Sequence, residues 1–459
     1  MNWLRLDGFD VGDPREIRDE DGRLLEIQVD CVPNKLDVDL CCLARKLVKN
    51  GTRIVKYRDL RLDAAPTILH VTRQQYQCKS CDSTLYQVVP HVDGRHFVTE
   101  RLRDAVVISS IKRTFADIEH VYGVDEKMAR ILFRAHADRE LLNYRYKAPR
   151  VLGIDENALL GAQRAVICDV ENGFLLDMHP GCTQSDVRRG LDRMDDWGNV
   201  EVWCQDMAGH YKGLAKDLFP KAAIVVDKFH LLKMANHWWS KVRITETPKL
   251  PLEVRKGTPG MVRLFDKHWE TMTRRQQDRV AEVLEHSPRM KKAWTVKESF
   301  YYFYDAPTRE DAESAYKDWV QFAKADQHEV WKPLMLTVAR WRKEIFNYFD
   351  HPYTSGMVER MNRSIGDINR AGNGMDFQTL RAKAILRYSH LIPDWRFNMH
   401  FMEAPEPNGW LDGLLDDDAH QEEDTFDERY MIGSGFDPSI LAADLEAGSF
   451  DAPSIGFAG

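Results

Sequence analysis

The chain has 459 residues, enough for two or three domains, and its 43% hydrophobic and 30% charged residues are those of an ordinary globular protein. No run of about 18 apolar residues occurs, which excludes a membrane-spanning helix, and the charged N-terminus lacks the apolar stretch of a secretory signal. The net charge of −8 is uneven: from Glu403 onward 15 acidic residues face the single Arg429, so the body is mildly basic and suits a polyanionic partner.

Eight cysteines at irregular spacing fit a reducing cytoplasm, with thiols that are free or metal-bound. Alternation in LLEIQVDCV predicts a strand before Leu40. The run TILHVTRQQYQ then leads into Cys78-Lys-Ser-Cys81, one knuckle of a zinc ribbon, which needs a second knuckle to complete four tetrahedral ligands. Adjacent Cys41 and Cys42 do not have that spacing. Asp39 with Cys42 is the better-spaced pair, Cys31 and His70 stand in reserve, and a small β module without metal remains open. Residues 1–98 therefore read as a zinc-ribbon-like module with Cys42, Cys78 and Cys81 as candidate zinc ligands.

Residues 99–148 change to a helical period, with Leu102, Ala105, Val106, Ile108 and Ile111 on one side. FADIEHVYGVDEKMARILFRAHADR follows: a helix, a turn at Gly123, and a second helix opening near Asp125, the pattern of a helix-turn-helix. On the second helix Met128, Ile131 and Leu132 are expected inward. Lys127, Arg130 and Arg134 are expected outward, where cations can meet DNA phosphates or base edges. Any amphipathic hairpin shares this spacing, and Glu119 sits where a small residue would pack better.

From Val151 the pattern is β-β-β-α-β-α-β. Three apolar runs come first, the second and third joined by the turn Glu171-Asn172-Gly173. A helical stretch runs from Thr183 to Trp197 through Val187, Leu191 and Met194. Val200, Val202 and Cys204 then line a strand leading to Asp206, His210 to Phe219 is a short helix, and Ala222 to Val226 is a buried strand ending at Asp227. The first and fourth runs each end on an acidic residue, Asp155 and Asp206. This order is that of an RNase H-like α/β core. Residues 231–348, rich in tryptophan and charge, read as an all-α insertion whose aromatics form its core.

In TSGMVERMNRSIGDINRAGNG, Ser355 can cap a helix with Met357, Val358, Met361, Ile365 and Ile368 on one side and Glu359, Asn362, Arg363 and Gly366 on another. By the local pattern alone Glu359 is a surface ion pair. Residues 401–459 form an acidic tail expected to be largely disordered. Two-metal phosphoryl transfer needs carboxylates holding two magnesium ions about 4 Å apart. Asp155 and Asp206 qualify, Asp227 is a rival for a supporting place, and Asp169 and Asp177 fit turn or surface roles better.

Taken together, GIDE at Gly153, Gln-Asp-Met around Asp206, Asp-Lys-Phe-His at Asp227, Val-Glu-Arg-Met-Asn around Glu359 and Ile-Asn-Arg-Ala-Gly-Asn-Gly at Ile368 resemble the motifs of the ISL three family of insertion-sequence transposases. The resemblance runs from the cysteine-rich N-terminus to about Leu391. It implies an RNase H-like DDE enzyme over residues 149–400, with the family's triad falling on Asp155, Asp206 and Glu359 as magnesium ligands. It also implies a zinc-finger-like module and a helix-turn-helix ahead of that core, with Cys78 and Cys81 matching the second knuckle. The expected function is binding of terminal inverted repeats, magnesium-dependent cleavage and strand transfer, in the cytoplasm at the nucleoid, by a homodimer that pairs two DNA ends. Arg363 and Arg370 join Lys127, Arg130 and Arg134 as expected DNA contacts. A non-catalytic DNA-binding descendant of a transposase, or a nuclease or resolvase on the same fold, are the alternatives.

Overall fold

The computed structural model describes residues 3–391 except Leu36, Leu40, Ala44, Arg45 and Asn373, so the acidic tail lies outside the described residues. The chain forms two compact units, Met1–Tyr144 with Ala371–Arg387 and Arg145–Arg370 with Tyr388–Gly459. None of the described helices is long and apolar enough to cross a membrane.

The first unit holds β1 (Phe9–Arg18), β2 (Leu24–Pro33), β3 (Leu47–Leu62), β4 (Ala65–Cys78), β5 (Thr84–Tyr86), β6 (Val92–Asp93) and β7 (Val98–Thr99), in the order β1-β2-β4-β3-β7-β6 with β5 on β4. Period-two alternation buries Ile27, Val29 and Cys31 of β2 against Tyr57, Leu69 and Val71. Asp63 and Ala64, both at positive φ, turn β3 into β4. Three helices follow. Thr99 caps α1 (Glu100–Lys112), a Thr114–Asp117 capping box opens α2 (Phe115–Tyr122), and left-handed Gly123 ends it. Asp125 then caps α3 (Glu126–Leu141).

Glu119, the apparent misfit, has a job there: its Oε2 accepts the amide of Glu126 at 3.2 Å, satisfying an N-terminal N–H of α3. The inward face of α3 differs from the expected one. Leu132 is buried, but with Ala129, Phe133 and Ala137; Met128 is only half-buried and Ile131 is 40% exposed. The Phe133 ring meets Phe115 edge-on at 5.8 Å, and burying that ring outweighs burying Ile131. A late helix, Phe377–Tyr388, belongs to this unit as far as Arg387: its buried Lys383 donates to Arg113 O at 2.8 Å and lies 4.1 Å from the Phe115 ring centre.

The second unit is built on β8 (Tyr146–Lys147), β9 (Val151–Leu159), β10 (Ala162–Asp169), β11 (Phe174–His179), α4 (Gln184–Leu191), β12 (Met194–Asp195), β13 (Val202–Gln205), α5 (Gly209–Leu218) and β14 (Ala223–Val226). Its sheet order is β11-β10-β9-β13-β14, with β10 antiparallel to both neighbours and β13 parallel to β9 and β14. The expected helix to Trp197 stops at Leu191. Met194 and Asp195 instead pair with β8, a tertiary pairing that overrides the helical period.

Helices α6 (Lys228–Glu246), α7 (Leu252–Gly257), α8 (Val262–Asp266), α9 (Arg274–Glu285), α10 (Pro288–Phe303), α11 (Arg309–Arg340) and α12 (Arg342–Asp350) come next. Trp239, Phe265, Phe300, Phe303, Trp331 and Phe346 lie in one core cluster here, so these aromatics are packing residues. The chain then returns to the sheet through α13 (Gly356–Ala371) before α14 (Phe377–Tyr388), the late helix of the first unit. Val358, Met361, Ile365 and Ile368 are buried as the spacing predicts, while Met357 is half-buried.

Candidate active site and metal centre

Strand register brings three aspartates side by side. Cys204 of β13 lies opposite Gly153 of β9, so two steps further along the same direction stand Asp206 and Asp155. Gln205 lies opposite Val226 of β14, and one step on stand Asp206 and Asp227. The expectation that Asp155 ends its strand is corrected: β9 runs on to Leu159 because β10 keeps pairing with it, whereas β13 stops at Gln205. Asp155 is thus placed where β9 outlasts its parallel neighbour.

All three carboxylates are buried, 3%, 3% and 2% exposed respectively. Asp155 accepts the Glu156 amide at 2.8 Å and the Asn362 Nδ2 at 2.9 Å; Asp206 accepts the Ala208 amide at 2.9 Å. Burial, and then the charges of Asp206 and Asp227, push the Asp155 carboxyl well above the usual carboxylate range. Asp206 is pushed up to about 6, by burial first and by Glu156, with His230 opposing.

Asp227 behaves differently. Burial raises it, but His230 at 3.4 Å, the Ser355 hydroxyl and the Phe229 amide outweigh burial and hold it below the usual range. Burial alone would lower His230, yet Asp227, Asp206 and Asp155 together push it to about 9. Three carboxylates against one imidazolium leave a buried excess of negative charge.

Helix α13 is docked on β9. A Cβ at position 153 would lie 2.5 Å from Val170 Cγ2 and 2.7 Å from Val358 Cγ2, so only glycine lets the helix seat this closely. Asn157 Nδ2 donates to Asn362 O at 2.9 Å, and Asn362 in turn donates to Asp155. Gly153→Ala is therefore expected to cost about 1–3 kcal/mol through overpacking, measured by denaturant unfolding. Unchanged stability would mean that α13 does not rest on β9.

Glu359 stands one turn before Asn362 and on the same side of α13. Its Oε1 accepts from Arg363 at 2.9 Å, the ion pair that the local pattern predicts. Asp155, Asp206 and Glu359 do not gather their oxygens into one cluster within 4.8 Å; among the described residues only cysteines do that. The donors near Asp155 nonetheless suit a hard cation. The carboxylates offer hard oxygen donors, and buried Asn362 Oδ1 has no hydrogen-bond partner among the described residues.

Asp169 accepts the amides of Glu171 and Asn172, a turn role, and Asp177 pairs with Arg193 at 2.8 Å. Arg130 pairs with Glu126, Arg134 with Asp376 at 3.5 Å, and Arg370 with Asp367. Lys127 is exposed and has no carboxylate partner among the described residues. His230, Asn362 and Ser355 were not anticipated as site residues. Spacing of three from an acidic residue, as in Asp227–His230 and Glu359–Asn362, is the signal that could have found two of them.

A second centre lies in the first unit. The sulfurs of Cys41, Cys42, Cys78 and Cys81 all lie within 4.8 Å of one another. Cys42–Cys78 is 3.7 Å and Cys41–Cys42 is 3.9 Å; four thiolates at ~2.3 Å around a tetrahedral zinc would be ~3.8 Å apart. The fourth sulfur of the cluster is that of Cys41. Asp39 is outside the cluster, Cys31 is buried in the β2 core, and His70 lies 3.7 Å from Asp30. Leu47 pairs with Cys78 across the β3–β4 hairpin, which carries the chain just ahead of β3 to the knuckle and puts both adjacent cysteines in reach. Backbone hydrogen bonds, that of Lys46 foremost, pull the Cys78 thiol down to about 6, whereas burial first and then its cysteine neighbours push Cys42 up to about 12.

Comparison with known proteins gives the class. Residues 39–81 match the zinc-finger of transposases of the IS204/IS1001/IS1096/IS1165 group, and residues 152–384 match the DDE transposase family of ISL3 type. The chain belongs to the ISL3 family of insertion-sequence transposases, the ISL three family of the sequence motifs, and carries its zinc ribbon near the N-terminus. It is similar to the transposase for insertion sequence element IS1001 of Bordetella parapertussis, 21% identical over 352 residues, covering 73% of this chain and 85% of the relative. The transposase for insertion sequence element IS1557 of Mycobacterium tuberculosis is 24% identical over 284 residues, covering 56% of this chain and 64% of the relative.

Proposed function

We propose that this transposase binds the terminal repeats of its own element, cuts a DNA strand at each end, and joins the freed 3′-hydroxyl to target DNA. The observation that carries this is the pair Asp155 and Asp206, buried at adjacent parallel strands, with Asn362 of the Glu359 helix on Asp155. The sheet order β11-β10-β9-β13-β14, with its second strand antiparallel, supports an RNase H-like core.

In this reading Asp155, Asp206 and Glu359 hold two magnesium ions, with Asn362 at their edge. Magnesium there would make water or a 3′-hydroxyl a competent nucleophile and stabilise the departing oxygen. Asp227 is the weaker candidate for the third position, since His230, Ser355 and the Phe229 amide already engage it. Glu359 takes that role by exchanging Arg363 for the ion. His230 keeps the aspartates partly neutralised, so the pocket tolerates three carboxylates before a metal arrives. Helices α2 and α3 serve as the helix-turn-helix, with Lys127 and, once released from their carboxylates, Arg130 and Arg134 on DNA; Arg363 and Arg370 would approach the cut strand. Action in the cytoplasm at the nucleoid, as a homodimer pairing two ends, completes the proposal.

Joining distinguishes this from a nuclease. Full-length protein with magnesium and a duplex carrying the terminal repeat is expected to give end-cut DNA and products covalently joined to a second duplex. Cut DNA with no joined product under any condition would instead make the protein a nuclease or resolvase on this fold.

A further inference from the structure

A second ionisable pair meets beside the proposed site. Successive side chains of a strand point to opposite faces, so Glu156 faces away from Asp155. There its Oε1 lies 3.5 Å from Nε2 of His210, in the first turn of α5 and four residues beyond Asp206. Glu156 is largely enclosed, at 10%, while the His210 side chain is 41% exposed. The backbone at His210 and the Tyr211 ring beside the imidazole are both anchored. Gln184 Nε2 donates to His210 O at 2.8 Å, the Tyr211 ring lies 4.1 Å away, and Tyr211 donates to Cys182 O at 3.1 Å. Glu156 from β9, foremost by its hydrogen bond, and Asp206 beyond β13 both raise the imidazole above its ordinary value.

None of this is needed to hold the proposed ions, yet it places a pre-oriented, part-exposed imidazole close enough to Asp206 for that carboxylate to act on it. A strand entering between Asp155 and Asp206 brings phosphates toward buried negative charge. Lys212, two residues further along α5, is paired with Glu344 at 2.8 Å. We infer that His210 is a DNA-positioning residue, its imidazolium contacting a backbone phosphate of the strand that enters the site while Glu156 fixes the ring. The inference rests on the DNA-cutting reading above.

The test compares full-length His210→Gln and His210→Arg with wild type, using a duplex taken from the terminal repeat that flanks the gene. Binding is titrated against salt without magnesium, and single-turnover cutting is measured with it. His210→Gln is expected to reduce the slope of log affinity on log salt by about one and to slow cutting at subsaturating DNA. His210→Arg is expected to restore both. An unchanged slope in His210→Gln overturns the inference, as does an Arg variant no better than Gln with a lowered melting temperature, the mark of a packing role. Binding is read without catalysis, and Asp155→Asn tests the catalytic reading separately, so the two can fail independently.

Discussion

Asp155→Asn is expected to stop strand cleavage, losing roughly 10³-fold or more in rate because metal chemistry supplies several kcal/mol of transition-state stabilisation. DNA binding by the full chain should persist. The variant should also be the more stable protein without magnesium. Asp155 and Asp206 both have folded carboxyls raised above their unfolded value, so the stability they contribute is full below the ordinary carboxylate value of 3.8 and lost as pH rises, for Asp206 through about 6. Removing the Asp155 charge removes part of that loss, so the melting-temperature gap should widen toward alkaline pH. The new amide can be accommodated: Asn362 donates to Asp155 Oδ2 while its own Oδ1 lacks a partner, so turning its amide over offers an acceptor. Magnesium should then stabilise wild type more than the variant. Retained cutting, or a variant that melts below wild type in metal-free alkaline buffer, would contradict the assignment of Asp155.

Cys41→Ser is expected to abolish stoichiometric zinc binding, whereas Cys31→Ser should leave zinc content intact. The four clustered sulfurs have the spacing of a structural site, and such sites contribute folding energy outright. Loss of the metal should open residues 39–81 to protease and lower affinity for the terminal-repeat duplex by at least about tenfold, ~1.4 kcal/mol. Because Cys42 begins protonated and Cys78 is held low, zinc uptake should release protons and weaken as pH falls. Native mass spectrometry with limited proteolysis reads both. Zinc retained by Cys41→Ser but lost by Cys31→Ser would return the fourth ligand to the β2 core.

The strands of the second unit are legible in the sequence because each is a short apolar run bounded by a turn or a carboxylate. The helical stretch from Lys228 to Asp350 is legible because tryptophans and phenylalanines recur at helical spacing. Register is not legible. Nothing local says that Cys204 faces Gly153 and Gln205 faces Val226, and it is this that lines up Asp155, Asp206 and Asp227. Pairing partners decide where a strand stops, so Asp155 lies inside β9 and not at its end. Cys41 escapes a spacing rule because the β3–β4 hairpin, not the local chain, brings it to the knuckle. The face of α3 shifts because one aromatic contact, Phe115 with Phe133, outweighs the Ile131 side chain. Glu359 looks like a surface ion pair and makes one with Arg363; the seating of its helix on Gly153 is a tertiary fact.

The most direct measurement is the position of manganese, a magnesium substitute with anomalous scattering, in crystals of the full chain with end DNA. The proposed site predicts two ions about 4 Å apart, held by Asp155 and Asp206, with Glu359 released from Arg363 to complete the set. Ions held by Asp155, Asp206 and Asp227, with Glu359 still paired to Arg363, would contradict it.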